Sequence, residues 1–443
     1  MSAAAFAALM IGLLLIMIVL GFHINVALGV ASVAGVAIIV GKADVALSIL
    51  STTAYEALRD YVFAVIPLFV LMGELVARSG AAKDLFVLIN RALWRVPGRL
   101  AVATVIGNAV FAAVVGVSVA SAATFSRIAY PQMVALGYNK TTALGCVAGS
   151  SSLGMLIPPS VLMIVWGVLT ELSIGKLFLA GFLPGFLLAA MYVAWCLLLA
   201  LLHPELFGEQ RRAAERRAAR VGEEPLTAAE LADGLGTAAL IVVVLGGIWF
   251  GAFTPTEAAG IGALIALALA IFKGLRWDGI LAAISETGRT SAPILFLLIC
   301  AQMYSRLLAM GGIVGAIQGF ITGLGLDPIV VLVLMVVVWF TLGMFIDSVS
   351  IILLTVPIFA PLAIKLGFDP IAFAIIGVLA IEAGILTPPF GLAVYTVKSC
   401  VPDPDVRLGQ IFRGAAPYWV FLIVLLFLVY AFPGIATWLP SKM

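Results

Sequence analysis

Ser150-Ser151-Ser152-Leu153-Gly154-Met155-Leu156-Ile157-Pro158-Pro159 is echoed 230 positions later by Ala380-Ile381-Glu382-Ala383-Gly384-Ile385-Leu386-Thr387-Pro388-Pro389. The glycine, the leucine and the double proline fall in the same register, and each copy interrupts an apolar run. Proline lacks a backbone donor and crowds the carbonyl one turn back, and a second proline also pushes its predecessor out of the helical region. Carbonyls are thereby released where lipid cannot satisfy them. Broken backbone at membrane depth is tolerated only where protein buries it or it lines a cavity. A matched pair of broken helices in two halves points to a transporter's binding site.

Composition sets the frame around these breaks. With 64% hydrophobic and 10% charged residues and a mean hydropathy of +1.23, the chain lies far outside the soluble range. Several runs exceed the roughly 20 apolar residues that cross a bilayer, so the chain reads as a polytopic membrane protein. The net charge of +2 says little, because in a membrane protein the placement of Lys and Arg is what matters. Cys146, Cys196, Cys300 and Cys400 show neither metal nor redox spacing and read as packing residues. No Lys or Arg precedes Lys42, so the first apolar run reads as a retained span with its N-terminus outside, not a cleaved signal.

Apolar runs place ten crossings near 3–21, 24–41, 60–78, 140–169, 177–202, 237–253, 256–272, 290–309, 369–398 and 416–438. Two further segments, 98–130 and 328–364, have apolar halves of about 15 residues around a small or polar centre. Each half reaches about 22 Å of a roughly 30 Å core, and the segments read as re-entrant hairpins rather than ordinary crossings. With that count, 18 of the 24 Lys and Arg fall on the inner face, as the positive-inside rule requires. Residues 203–236, with Gln210-Arg211-Arg212 and Glu215-Arg216-Arg217, form a cytoplasmic linker whose arginines read as a solvated anchor, not a nucleic-acid site.

The repeat reaches past the prolines, since Pro131 and Gly137 are echoed at Pro361 and Gly367. The expected fold class is an all-α inverted repeat: residues 1–202 and 237–443 each carry five crossings, one hairpin and one broken helix. The odd number of crossings makes the second half enter from the opposite side, which is a scaffold for alternating access. Residues 45–61 and 275–287 read as interfacial arms.

The first hairpin turns around Gly116-Val117-Ser118-Val119-Ala120-Ser121-Ala122-Ala123-Thr124, where glycine permits a tight turn and helix ends expose amides or carbonyls beside hydroxyls; close packing of small residues is the other reading. The second turns at Gly343 to Ser350. Asp347 there either ligates a cation or holds the tip by accepting backbone hydrogen bonds, and the second role suits it better. A sodium ion wants hard oxygens, which Ser118, Ser150, Ser151, Ser152, Ser348, Ser350 and Thr387 supply beside the freed carbonyls. Glu382, which replaces Ser152 in the repeat, reads as a buried hydrogen-bonded acid or a proton carrier. No phosphate loop or His-Glu-x-x-His pair is present, and His23 and His203 stand apart near span ends. A membrane-embedded enzyme would have only Asp347 and Glu382 as acids, and a channel would not need two hairpins.

With these stretches in hand, the chain resembles the large permease subunit of tripartite ATP-independent periplasmic (TRAP) transporters, the DctM-like family. The likeness is carried by Gly116 to Thr124, Pro131 to Tyr138, Leu153 to Ser160, Ile174 to Gly181, Phe345-Ile346-Asp347 and Gly384 to Pro389. The resemblance implies an elevator-type, sodium-coupled secondary transporter, not an enzyme, in a bacterial inner membrane. It also implies a small DctQ-like membrane subunit and a periplasmic DctP-like solute-binding protein that delivers a dicarboxylate, sugar acid or keto acid. By that likeness the sodium sites are framed by Ser118, Ser150, Ser151, Gly154, Asp347, Ser348, Gly384 and Thr387. The substrate region is framed by Gly116, Ser118, Ser152, Pro158, Ser350, Pro388 and Gly391. Val117, Ser150, Ser151 and Ala393 depart from the family pattern. A stand-alone ion-coupled carboxylate carrier is the other reading.

Overall fold

The computed structural model describes residues 3–208 and 228–443, so the arginine-rich part of the linker lies outside the described residues. Among these, the regular elements are all helices. The first half runs α1 (Ala3–Val19), α2 (Ile24–Val40), α3 (Ala43–Arg59), α4 (Val65–Arg78) and α5 (Ala81–Ala92), then the hairpin α6 (Arg99–Val115) and α7 (Ser118–Ala135). A broken helix follows as α8 (Lys140–Ser150), the short α9 (Leu153–Leu156) and α10 (Val161–Thr170), and α11 (Ile174–Leu202) closes the half. The second half repeats this order as α12 (Ala228–Trp249), α13 (Pro255–Phe272), α14 (Trp277–Met310), α15 (Ile313–Gly323), the hairpin α16 (Pro328–Gly343) and α17 (Ser348–Lys365), the broken helix α18 (Pro370–Gly384) and α19 (Leu392–Cys400), and α20 (Leu408–Ala431).

Local chemistry explains the matching boundaries. Asn139 caps α8 by accepting from the Thr141 and Thr142 amides, and Asp369, 230 positions on, caps α18 through Ile371 and Ala372. α6 ends at Gly116, whose φ of 67° places it in the left-handed region that favours glycine. A Cβ there would also strike the Pro159 carbonyl oxygen. Both Pro–Pro peptide bonds, 158–159 and 388–389, are cis.

Three details differ from the sequence reading. The hairpin helices are 16 to 18 residues long, so each reaches about 24 to 27 Å rather than 22. The arm expected at 275–287 is continuous with the following span in the 34-residue α14. In the first half, α3 and α4 are instead separated at Asp60, whose carboxylate accepts from the Val62 amide at 3.0 Å. Finally, α12 begins at Ala228, before the expected 237. Phe207 at the start of the linker is fully buried and meets Tyr138 edge-on at 5.3 Å.

Among the described residues seven helices are long and apolar enough to cross a membrane, and large apolar side chains such as Val19, Phe250 and Phe272 lie exposed on the outer surface, as a lipid-facing exterior requires. The two broken helices run antiparallel. Lys140, at the start of α8, pairs with Asp403 just beyond the end of α19 at 2.6 Å, and Tyr130 of α7 donates to the same carboxylate at 3.0 Å. At the other end, Trp166 of α10 packs on Phe373 of α18 and Trp339 of α16 at 5.9 and 5.8 Å. α8 crosses α20 so closely that a Cβ on Gly145 would run into the Gly414 backbone, a small-residue contact that lets membrane helices approach.

Candidate functional site

The two hairpin tips end on one side chain. Ser118, the first residue of α7, donates to Glu382 Oε2 at 2.6 Å, and Ser348, the first residue of α17, donates to Glu382 Oε1 at 3.2 Å. Glu382 is wholly buried and lies half a turn before α18 ends at Gly384. The depth of both tips is thus set by the break in the second helix. The two serines are not caps, since the N-cap positions are Val117, which makes no side-chain bond, and Asp347, which accepts from the Ser350 amide; their hydroxyls are spent on Glu382.

Backbone packing tightens the junction. A Cβ on Gly154 would lie 3.1 Å from the Ser118 amide nitrogen, and one on Gly384 would crowd the Phe340 carbonyl and Gly343. The Val161 amide donates to the Gly116 carbonyl at 3.2 Å, and the Gly391 amide to Met344 at 3.4 Å. Each tip is therefore stitched to the break of its own half by a main-chain bond, with Pro158 and Pro388 inside the intervening loops.

Asp347 holds its own tip. Its carboxylate accepts from the Ser350 amide at 3.0 Å and from the Ser350 hydroxyl at 2.5 Å. The hydroxyls in the breaks turn inward on their helices: Ser150 donates to the Cys146 carbonyl, Ser151 to Ala148, Ser152 to Gly149 and Thr387 to Gly384, all within 2.6 to 2.8 Å. They satisfy the last carbonyls of α8 and α18 while keeping lone pairs. Ser152 also meets the Tyr192 hydroxyl at 3.0 Å. Asn108 of α6 donates to Ser150 at 2.6 Å, and its own carbonyl oxygen, with the Ser121 hydroxyl one turn into α7, is buried without a hydrogen-bond partner. Each is a hard oxygen with spare capacity, of the kind that suits a sodium ion, and Asn108 stands at the first break through Ser150.

A cavity of about 320 Å³ adjoins the tips, walled by Val117, Met155, Asp347, Ser350 and Leu392 on one side and by residues of α2 and α14 on the other. A larger cavity of about 810 Å³ lies further along α14, near Glu171 and Arg306, away from the tip serines. Of the candidate residues, the tip cavity collects Asp347, Ser348 and Ser350; Ser118 meets Ser348 through Glu382; and Ser150, Ser151, Ser152 and Thr387 line the breaks behind it. Asn108 and Tyr192 were missed in the sequence, and Ser121 was read only as part of the first hairpin's turn. A polar side chain inside an apolar helix was the available signal for Asn108. Among the described residues no group of three His, Cys, Asp or Glu side chains is placed to hold a metal ion.

Comparison with known proteins agrees with this architecture. The chain is 34% identical over 394 residues to the C4-dicarboxylate TRAP transporter large permease protein DctM of Pseudomonas aeruginosa, covering 88% of this chain and 89% of that one. It is 30% identical to the ectoine TRAP transporter large permease protein TeaC of Halomonas elongata, over 98% and 97% of the two chains. It is 29% identical to the sialic acid TRAP transporter large permease protein SiaM of Vibrio cholerae, over 86% and 87%. The fold is similar to the crystal structure of the Alcanivorax borkumensis YdaH transporter, with a TM-score of 0.59 at 15% identity, over 89% of this chain and 90% of that one. Residues 11–435 match the family described as the tripartite ATP-independent periplasmic transporter, DctM component. The chain belongs to that family of multi-pass transporter permeases and is not an enzyme.

Proposed function

We propose that this chain is the large permease of a sodium-coupled, binding-protein-dependent importer of a small organic acid, working by an elevator movement in a bacterial inner membrane. The observation that carries the reading is the convergence of both hairpin tips on Glu382, inside a broken helix. Hairpins whose tips stop at the break of another helix end partway across the membrane, as re-entrant segments do, and the antiparallel course of the two broken helices is what an inverted repeat of 1–202 and 237–443 requires. The hairpins and broken helices form the moving unit, and α1 to α5 with α12 to α15 form the stationary frame. A DctQ-like small subunit enlarges that frame, and a DctP-like periplasmic protein loads the substrate. The dicarboxylate, sialic acid and ectoine named for relatives support a small organic acid as the substrate.

Sodium would be held by oxygens at the first break, where Asn108, Ser121 and Ser150 stand, and by the carbonyls between Gly384 and Gly391. It would supply positive charge that draws the tip and break together. The test is uptake into proteoliposomes holding the three components and a loaded binding protein. Uptake should follow an inward sodium gradient and vanish without it; equal uptake in sodium-free buffer would overturn the coupling.

A further inference from the structure

The cavity at the tips has a wall that belongs to neither hairpin. His23 and Asn25, at the junction of α1 and α2, face it together with Asp347, Ser348 and Ser350. His23 occupies the N-cap position of α2 but makes no capping bond. Asn25 gives its amide oxygen to the Val26 amide at 2.9 Å. That leaves its NH2 group, and the imidazole, without a recorded partner among the described residues.

The chemistry of the two walls is unequal. On the hairpin side both oxygens of Asp347 are engaged by Ser350, and the carboxylate repels an anion placed there. On the frame side the polar groups are an amide NH2 and an imidazole, both able to donate, set among apolar residues such as Ile294 and Leu297. A small carboxylate entering this space finds its donors on the frame. We infer that His23 and Asn25 form a stationary subsite for the acid group of the substrate, while the tips hold the remainder of the molecule. The inference rests on the organic-acid reading above and adds to it which residues recognise the acid.

A stationary contact exists only while the tips stand beside the α1–α2 junction. It therefore acts on capture or release at one face of the membrane and not the other. In proteoliposomes holding the complete tripartite system, the apparent KM is measured separately from the outside and from the inside, with succinate, sialic acid and ectoine as probes. His23→Ala combined with Asn25→Ala should raise the KM at one face by about ten- to hundredfold, the range for lost hydrogen bonds to a charged group, and leave the other face unchanged. His23→Gln, which keeps a donor, should recover most of the loss, and His23→Phe should not. Unchanged KM at both faces, or an equal rise at both, overturns the subsite. If the wild-type system carries none of the three probes and no other dicarboxylate, sugar acid or keto acid, the organic-acid reading itself fails.

Discussion

Glu382 is a buried carboxyl group near the broken end of an apolar helix, and an ionisable group deep in a membrane costs roughly 2.5 to 3.5 kcal/mol on insertion scales. Two hydroxyl donors from different hairpins offset that cost. Removing the acceptor strands both buried hydroxyls, at about 1 to 3 kcal/mol each. Glu382→Ala should therefore lower thermal stability in detergent and abolish uptake, and Glu382→Gln, which keeps an acceptor, should fall between it and the wild type. Equal stability of the two variants would show that the tips do not depend on this group. The residue was visible in the sequence as a lone ionisable side chain at the repeat position of Ser152. Its reading as a buried hydrogen-bonded acid holds, but its partners could not be named, because Ser118 lies 264 positions away and only the folded chain brings them together. Asp347 was legible because its partner is three residues on and its bonds are local.

At the level of elements, the structure adds the caps Asn139 and Asp369; the double prolines and the turn at Gly116 were readable, since each acts on backbone within one helical turn. The fusion of arm and span in α14 was not. Residues 275–287 mix polar and apolar side chains like a surface arm, and what keeps the helix continuous is packing against α2, α3 and α4. The closest approach of two elements, α8 over α20, was equally hidden, because a glycine in an apolar run carries no address for its partner. Gly145→Ala places a methyl group against the Gly414 backbone, which has no rotamer with which to yield. Overpacking of this kind costs about 1 to 3 kcal/mol, so the melting temperature of Gly145→Ala should drop, whereas Gly246→Ala, in open space on α12, should not.

Across the whole molecule, the inverted course of the halves followed in the sequence from an odd number of crossings, but the clasp between them did not. Asp403, in the loop after α19, accepts from Lys140 and Tyr130, and the Lys140 hydrogen bond is the main cause holding its carboxyl below the ordinary value of 3.8. A group with a lowered folded pKa contributes stability above its unfolded value and loses it as pH falls through the folded one. The stability difference between wild type and Asp403→Asn should thus stay constant above about pH 3.8 and shrink below it, read as melting temperature against pH; a difference that persists at lower pH would show that the pair contributes nothing electrostatic. The effect should be small, because the pair is solvent-exposed. The nearness of His23 to the tips was likewise beyond sequence reasoning, for no local pattern links a span junction to hairpins a hundred residues away and further. In mechanical terms, the two matched breaks are linked to their surroundings unequally. Ser152 is tied to Tyr192 and its own helix, while Glu382 at the matching position grips both tips. Within the fold, Glu382 therefore couples α18 to both hairpins at once, a side-chain linkage that the matching Ser152 does not make.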